Sequence, residues 1–297
     1  MNRLLTYLFG RLPIGWLQLS HNKGRLLAAV SGVAFANLLV FMQLGILGAL
    51  NGSTVAPYTM LQADIVISSE DGNTLTDSGN IARTRMFQAL GVPGVASAAP
   101  LYVGNLPFSM TDGTSVSLLA FGMDTSQPEF ASTVIAASLG RLETENTALL
   151  DIQTRGVPAT AFDDLEAGKP FSFEVNGQTM TAIGTLEVGG GFLADGTIVL
   201  SDQTFLRFFP QRTSGAPSHI LITVDDNVSV DRVLKRLEAA LPPESVKVQT
   251  FQASASADLA FMSTERPTGI IFGFGVLIGI IVGIVIVYQV LSTDVAD

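Results

Sequence analysis

The stretch LLAAVSGVAFANLLVFMQLGILGAL, Leu26 to Leu50, runs for 25 residues without a charge, and TGIIFGFGVLIGIIVGIVIVYQVL, Thr268 to Leu291, runs for 24. A helix rises about 1.5 Å per residue, so each reaches roughly 36 Å, more than the ~30 Å hydrocarbon core of a bilayer. No other part of the 297-residue chain approaches this length of uncharged, mostly apolar sequence. A cleaved signal peptide would carry a shorter apolar core close to the N-terminus, whereas this one starts after 25 other residues. The reading is a membrane protein with two transmembrane α-helices, 26–50 and 268–291.

Charge sets the expected orientation. Arg3, Arg11, Lys23 and Arg25 precede the first span with no acid among them, and only Asp294 and Asp297 follow the second. Basic residues stay on the cytoplasmic side, which places both termini in the cytoplasm and residues 51–267 outside it. That outer segment holds 24 acidic against 12 basic residues. Residues 1–25 also place Leu4, Leu5, Leu8 and Leu12 on one helical face. They read as a short interfacial helix, with Arg11, Trp16, Lys23 and Arg25 as anchors at the headgroups. Residues 292–297 are a cytoplasmic stub.

Both spans carry small residues four apart: Ala28, Gly32 and Ala36 in the first, Gly275, Gly279 and Gly283 in the second. Such spacing lets helix backbones approach closely, so these six are the candidate helix-packing residues. Asn37 and Gln43 place amides in the first span, which favours a helix partner over bare lipid.

The outer segment reads as one large mixed α+β domain. Strands are expected at 63–68, 97–103, 115–121, 197–200, 219–224 and 246–250. Phe171–Val175 and Thr179–Thr185 flank Asn176-Gly177, the strongest short hairpin signal. Helices are expected at 82–90 and over Phe205–Phe209. Another runs from a Ser229 cap to about Leu241, where Pro242-Pro243 stops it. Residues 251–266 lack strand alternation and read as a helix feeding the second span.

Chemistry is hard to place in this chain. There is no Cys, which excludes disulfides, thiolate metal sites and thiol nucleophiles. His21 and His219 are the only histidines and fall on opposite sides of the expected membrane, so neither a catalytic triad nor a multi-histidine metal site can form within one chain. Val188–Gly191 is glycine-rich but lacks the Lys-Ser/Thr of a phosphate loop and reads as a turn or mobile loop. Asp163, Asp164 and Glu166 read as a solvated turn. Asp225-Asp226-Asn227 lacks the rest of a calcium loop and reads as the approach to the Ser229 cap. Phe192, Phe205, Phe208 and Phe209 read as core packing. The net charge of −10 speaks against nucleic acid. The expected site list is therefore empty of catalytic, cofactor-binding and metal residues.

The order of these pieces resembles a family. It is carried by WLQLSHNKGRLLAAVSGVAFANLLVFMQLGI (16–46), QADIVISS (62–69), RTRMFQALGVPGVASAAPLYVG (83–104), FLADGTIVLSDQTFLRFFP (192–210) and GFGVLIGIIVGIVIVYQVLSTDVAD (273–297). The chain resembles the DevC-type permeases of ABC exporters, kin of the MacB and FtsX/LolE permeases. The resemblance implies a MacB-like periplasmic core between the first and second spans and a homodimer in the lipid membrane. It implies a separate cytoplasmic ABC ATPase subunit as the site of ATP hydrolysis, a periplasmic membrane-fusion adaptor and a TolC-like outer-membrane channel. The cargo it implies is lipophilic, such as a glycolipid. The family continues into a coupling segment and two further spans, so the resemblance also implies that the sequence stops after the second of four. The alternative class is a two-span periplasmic sensor or assembly regulator without enzymatic activity. An enzyme is the third class, and the histidine count and missing nucleophile motif count against it.

Overall fold

The computed structural model describes residues 23–109, 113–189, 191 and 194–295. The chain divides into two compact units, a helical one made of its two ends and a globular one spanning Leu50–Met262.

The helical unit contains most of α1 (Lys23–Val55) and all of α8 (Pro267–Val295). Both are long and apolar enough to cross a membrane. Their packing is written in glycine. A Cβ placed on Gly275 would lie 2.6 Å from the Gln43 carboxamide carbon, and one on Gly279 would lie 2.7 Å from a Val40 methyl. One on Gly283 would meet the Ala36 Cβ at 3.6 Å, and one on Gly32 would meet Ile286 at 3.1 Å. As α1 advances through 32, 36, 40 and 43, α8 retreats through 286, 283, 279 and 275. The helices are thus antiparallel and close enough that a side chain at Gly279 would press on Val40 and one at Gly275 would displace the Gln43 carboxamide.

The globular unit is built on β1 (Ile65–Ser69), β2 (Val95–Ser109), β3 (Ser115–Met123), β4 (Thr147–Asp151), β5 (Phe171–Val175), β6 (Gln178–Leu186), β7 (Gly196–Ser201), β8 (His219–Val224) and β9 (Val246–Thr250). Its helices are α2 (Thr84–Leu90), α3 (Thr133–Leu139), α4 (Ala159–Glu166), α5 (Asp202–Phe208), α6 (Val230–Ala240) and α7 (Phe251–Thr264). Their sheet order is β3-β7-β4-β6-β5-β2-β8-β1-β9, with β3 also paired to β2.

The 15 residues of β2 serve two lobes. Its first half, Val95 to Leu101, pairs with β8, and its second half, Leu101 to Ser109, pairs with β3. The first lobe is the antiparallel sheet β2-β8-β1-β9 with α2 and α6 on one face, which is the order and connectivity of a ferredoxin-like β-α-β-β-α-β fold. Strand alternation builds it. Ile65, Ile67, Ile220 and Ile222 point toward Met86, Ala89, Val233 and Leu237 of the two helices. Val66 and Leu221 point to the opposite face, into a core shared with Tyr58, Met60, Leu75 and Phe130.

The second lobe is inserted between β2 and β8. Strands β2, β3, β7, β4, β6 and β5 form a ring, which closes where Ser109 pairs with Glu174. Leu106, Phe108, Leu118, Leu150, Met180 and Ile198 fill one core here. Helix α5 lies over glycines. A Cβ on Gly122 would meet Phe205 at 2.6 Å and one on Gly104 would meet Phe209 at 2.7 Å, and the two rings stack 4.1 Å apart. The Asn176-Gly177 hairpin forms as its sequence dictates, with φ +51° and +75°.

One expectation changes, and two elements gain detail. Asp163, Asp164 and Glu166 are not in a turn but on α4, whose buried residues are Ala161 and Leu165, so the carboxylates ride its outer face. Ser229 occupies the N-cap of α6 but makes no side-chain cap bond there. The first apolar helix continues past Leu50 to Val55.

Candidate functional site

The sequence APYTM that follows α1 folds into a 3-10 turn, Ala56–Met60, because Pro57 fixes φ and supplies no amide hydrogen at a helix start. The turn buries Tyr58. Its ring meets Phe251, the first residue of α7, edge-on at 5.2 Å. Its hydroxyl donates to Asp258 Oδ2 at 2.8 Å. That uses the only hydroxyl proton of Tyr58, so the 2.9 Å bond to Ser254 has Ser254 Oγ as donor.

Asp258 stands on the buried face of α7 with Ser254 and Met262. The same Oδ2 accepts the backbone N–H of Leu75, at 2.8 Å. Three chain segments therefore meet on one oxygen: the turn leaving the first apolar helix, the helix leading to the second, and the loop between β1 and α2. Burial pushes the Asp258 carboxyl above its ordinary value of 3.8, while the Leu75 amide, the Tyr58 hydroxyl and the charge of Lys247 pull the other way.

The Leu75 peptide is held from its other side by His219. The ring Nε2 lies 2.9 Å from the Leu75 carbonyl oxygen, which can only accept, so Nε2 carries the hydrogen. Nδ1 then accepts from Ser68 Oγ at 2.9 Å. Ser68 and His219 are register partners across β1 and β8. Burial holds His219 down at about 4, well under its usual 6.5, with the Leu75 carbonyl opposing and Arg212 adding to the shift. The Leu75 side chain is 2% exposed, so both its peptide groups and its side chain are held. The arrangement joins three chain segments through hydrogen bonds in the interior of the globular unit.

A second buried carboxylate organises the glycine-rich loop. Asp151 ends β4 fully buried and accepts N–H bonds from Gln153 at 3.1 Å, Val188 at 3.3 Å and Gly189 at 2.8 Å. Burial raises its carboxyl despite these bonds, and Glu187 adds to the rise. Gly189 sits at φ +98°, which favours glycine. This loop is shaped by an acid, not poised to hold a phosphate. Among the described residues no group of three or more His, Cys, Asp or Glu could hold a metal.

Of the expected packing residues, Gly32, Ala36, Gly275, Gly279 and Gly283 lie where α1 meets α8, joined by Val40 and Gln43. Ala28 is exposed instead. The Gln43 Oε1 is buried with no hydrogen-bond partner. Asn37 lines a groove of about 510 Å3 along the pair, with Ala36, Gly279 and Gly283. Lys23 is exposed at the start of α1, while Arg11, Trp16 and His21 lie outside the described residues, as does the Arg25 side chain. Phe205, Phe208 and Phe209 are core residues, and Phe192 also lies outside the described residues. Sequence reasoning missed Tyr58, Leu75 and Asp258. The one signal available was a lone Asp in FQASASADLAFM, an otherwise uncharged stretch.

The profile of the family described as MacB-like periplasmic core domain matches residues 26–240. No curated protein sequence matches the chain. Among solved structures, the periplasmic region of MacB from Actinobacillus actinomycetemcomitans is similar at 12% identity and a TM-score of 0.43, over 66% of this chain and 92% of that one. The extracellular domain of the noncanonic ABC-type transporter YknZ from Gram-positive bacteria is similar at 11% identity and a TM-score of 0.41, over 63% of this chain and 100% of that one.

Proposed function

Because the chain belongs to the family of the MacB-like periplasmic core domain, we propose that it is the permease subunit of an ABC-type exporter. The observation that carries this reading is the extent of the match, which begins in the first apolar helix and runs through both lobes to the end of α6. In this reading α1 and α8 cross the inner membrane with both termini in the cytoplasm, and residues 51–267 form the periplasmic domain. A separate cytoplasmic ABC ATPase hydrolyses the nucleotide. The permease acts as a homodimer in the lipid membrane and passes motion outward through the Tyr58–Asp258 junction. A periplasmic membrane-fusion adaptor and a TolC-like outer-membrane channel complete the path. The DevC-like order of the sequence supports a lipophilic cargo such as a glycolipid.

Physical chemistry supports a transmitting role. A polar junction buried at low dielectric is costly to leave half-paired, so a shift of one segment is felt by the others. Affinity purification of the full chain from detergent-solubilised membranes of its native host tests the proposal. Co-purification of an ABC ATPase whose hydrolysis the permease alters is the expected result. Recovery of the chain free of any ATPase, with the complex preserved by cross-linking before lysis, would overturn it.

A further inference from the structure

Residues 70–83 connect β1 to α2 and are tied down at both ends. Gly72 N–H donates to Ser69 O at 3.0 Å, and Lys247 Nζ donates to Gly72 O at 3.2 Å. Ile81 N–H donates to Pro217 O at 2.8 Å and Arg83 N–H to Gly215 O at 2.8 Å. Between these ties the loop turns on itself through Thr74 and Asp77. Leu75, at the turn, is bonded to other elements through both peptide groups. Its N–H goes to α7 through Asp258, and its carbonyl goes to β8 through His219.

The two holds differ in kind. His219 belongs to the four-stranded sheet, where Ser68 and its own strand register fix it. Asp258 belongs to α7, and the atom that accepts Leu75 N–H is the atom that accepts the Tyr58 hydroxyl. Tyr58 therefore does not bond Leu75, yet it sets where the Leu75 acceptor stands. The charged and titratable groups acting on Asp258 are Tyr58 from the turn after α1 and Lys247 from β9, and Arg212 acts on His219. None of the described ion pairs involves Asp258 or His219, so the polar ties of Leu75 are hydrogen bonds, added to the packing of its side chain.

We propose that Leu75 is a catch: Asp258 on α7 holds the 70–83 loop closed against the sheet, Tyr58 sets the position of Asp258, and displacement of α7 or of the Tyr58 turn releases the loop. Release lifts the Leu75 side chain out of the core it shares with Val66, Leu101 and Leu221. The sheet keeps its own hydrogen bonds, so the loop opens while the fold stays intact. The device rests on the export reading only for what displaces α7.

The test is hydrogen exchange of the full chain in detergent micelles, without nucleotide or ATPase. Tyr58→Phe keeps the ring contact with Phe251 and removes the hydroxyl. Asp258→Ala removes the acceptor. Leu150→Ala, fully buried in the other core, is the control for general loss of stability. The expected result is a rise of about tenfold in exchange across residues 70–83 for Tyr58→Phe and at least as much for Asp258→Ala. Leu150→Ala should leave that loop at its wild-type rate relative to the rest of the sheet. Equal loop exchange in Tyr58→Phe and wild type would overturn the catch, as would an equal rise in Leu150→Ala. If Asp258→Ala does not fold, Tyr58→Phe decides. A chain that shows the catch but never binds an ATPase would refute the export reading and leave this device standing.

Discussion

Tyr58 and Asp258, 200 residues apart in the chain, share a 2.8 Å hydrogen bond. The bond ties the turn that follows one apolar helix to the helix that precedes the other, and it does so inside the globular unit. A buried carboxylate with two donors and no ion pair is an unusual thing to keep, since its desolvation works against ionisation.

The pH dependence of Asp258→Asn follows from that desolvation. The folded-state pKa is raised above the ordinary 3.8, so the group's contribution is fully present below 3.8, where both states are protonated. It is lost as pH rises through the folded value. The substituted carboxamide would not titrate. The stability lost on Asp258→Asn should therefore be larger near pH 4 than near pH 7.5, measured by urea unfolding of the full chain in micelles followed by tyrosine fluorescence. A loss that grows with pH would contradict the raised value.

His219 has the opposite sign. Its folded pKa is depressed to about 4 from 6.5. Its contribution is present above pH 6.5, where both states are neutral, and is lost as pH falls from 6.5 through about 4. A shift of this size corresponds to roughly 3 kcal/mol. His219→Gln retains a donor for Leu75 O and removes the titration. It should flatten the acid limb of the stability curve while lowering the plateau at pH 7.5 by about 1–2 kcal/mol. Thermal unfolding across pH 4 to 8 measures both, and an unchanged acid limb would count against a buried neutral histidine.

What the sequence disclosed and what it hid divide along physical lines. The Asn176-Gly177 hairpin was legible because its positive φ angles demand those residues locally, and β8 and β9 were legible to the residue because alternation and flanking turns bound them. Strand β4, TALLD, passed unread. All five residues are buried between β7 and β6, so no alternation marks it. Helix α4 resembles a turn in sequence because two buried residues in eight give little periodicity beside three acids. The glycine spacing pointed to a packing face but not to its register, which Val40 and Gln43 complete. Ala28 continues the ladder in sequence and is exposed in the single chain. The Leu75 catch could not be read at all. It joins residues 58, 75, 219 and 258, and only the split ferredoxin-like topology brings them together.

The helix pair offers a direct test of register. The chain has no Cys, so introduced thiols react alone. A Cβ on Gly283 would stand 3.6 Å from the Ala36 Cβ, within the usual range for a disulfide. Ala36→Cys with Gly283→Cys should therefore form an intramolecular disulfide on mild oxidation of membranes, seen as a mobility shift reversed by reductant. Adding Gly279→Leu should suppress it, because a Cβ there already falls 2.7 Å from Val40. Cross-linking unaffected by Gly279→Leu would mean that the glycine contact does not set the approach of the two helices.

The floor beneath α5 gives the last prediction. Gly122 lies opposite Tyr102 across β2 and β3, and Phe205 rests directly on it. An added methyl would stand 2.6 Å from the Phe205 Cβ and 2.8 Å from its ring, too near for either to remain. Phe205 cannot yield easily, because it is fully buried and stacked at 4.1 Å on Phe209, which in turn covers Gly104. Gly122→Ala should thus destabilise the barrel lobe by about 1–3 kcal/mol, the usual result of overpacking a dense core. Phe205→Leu alone should also destabilise, by removing ring area. The two together should cost less than the sum of the singles, since the smaller side chain makes room for the methyl. Unfolding midpoints of the two singles and the double in micelles complete the cycle. Strict additivity would show that the Gly122 backbone can move away from α5, and that its lack of a side chain is not what seats the helix.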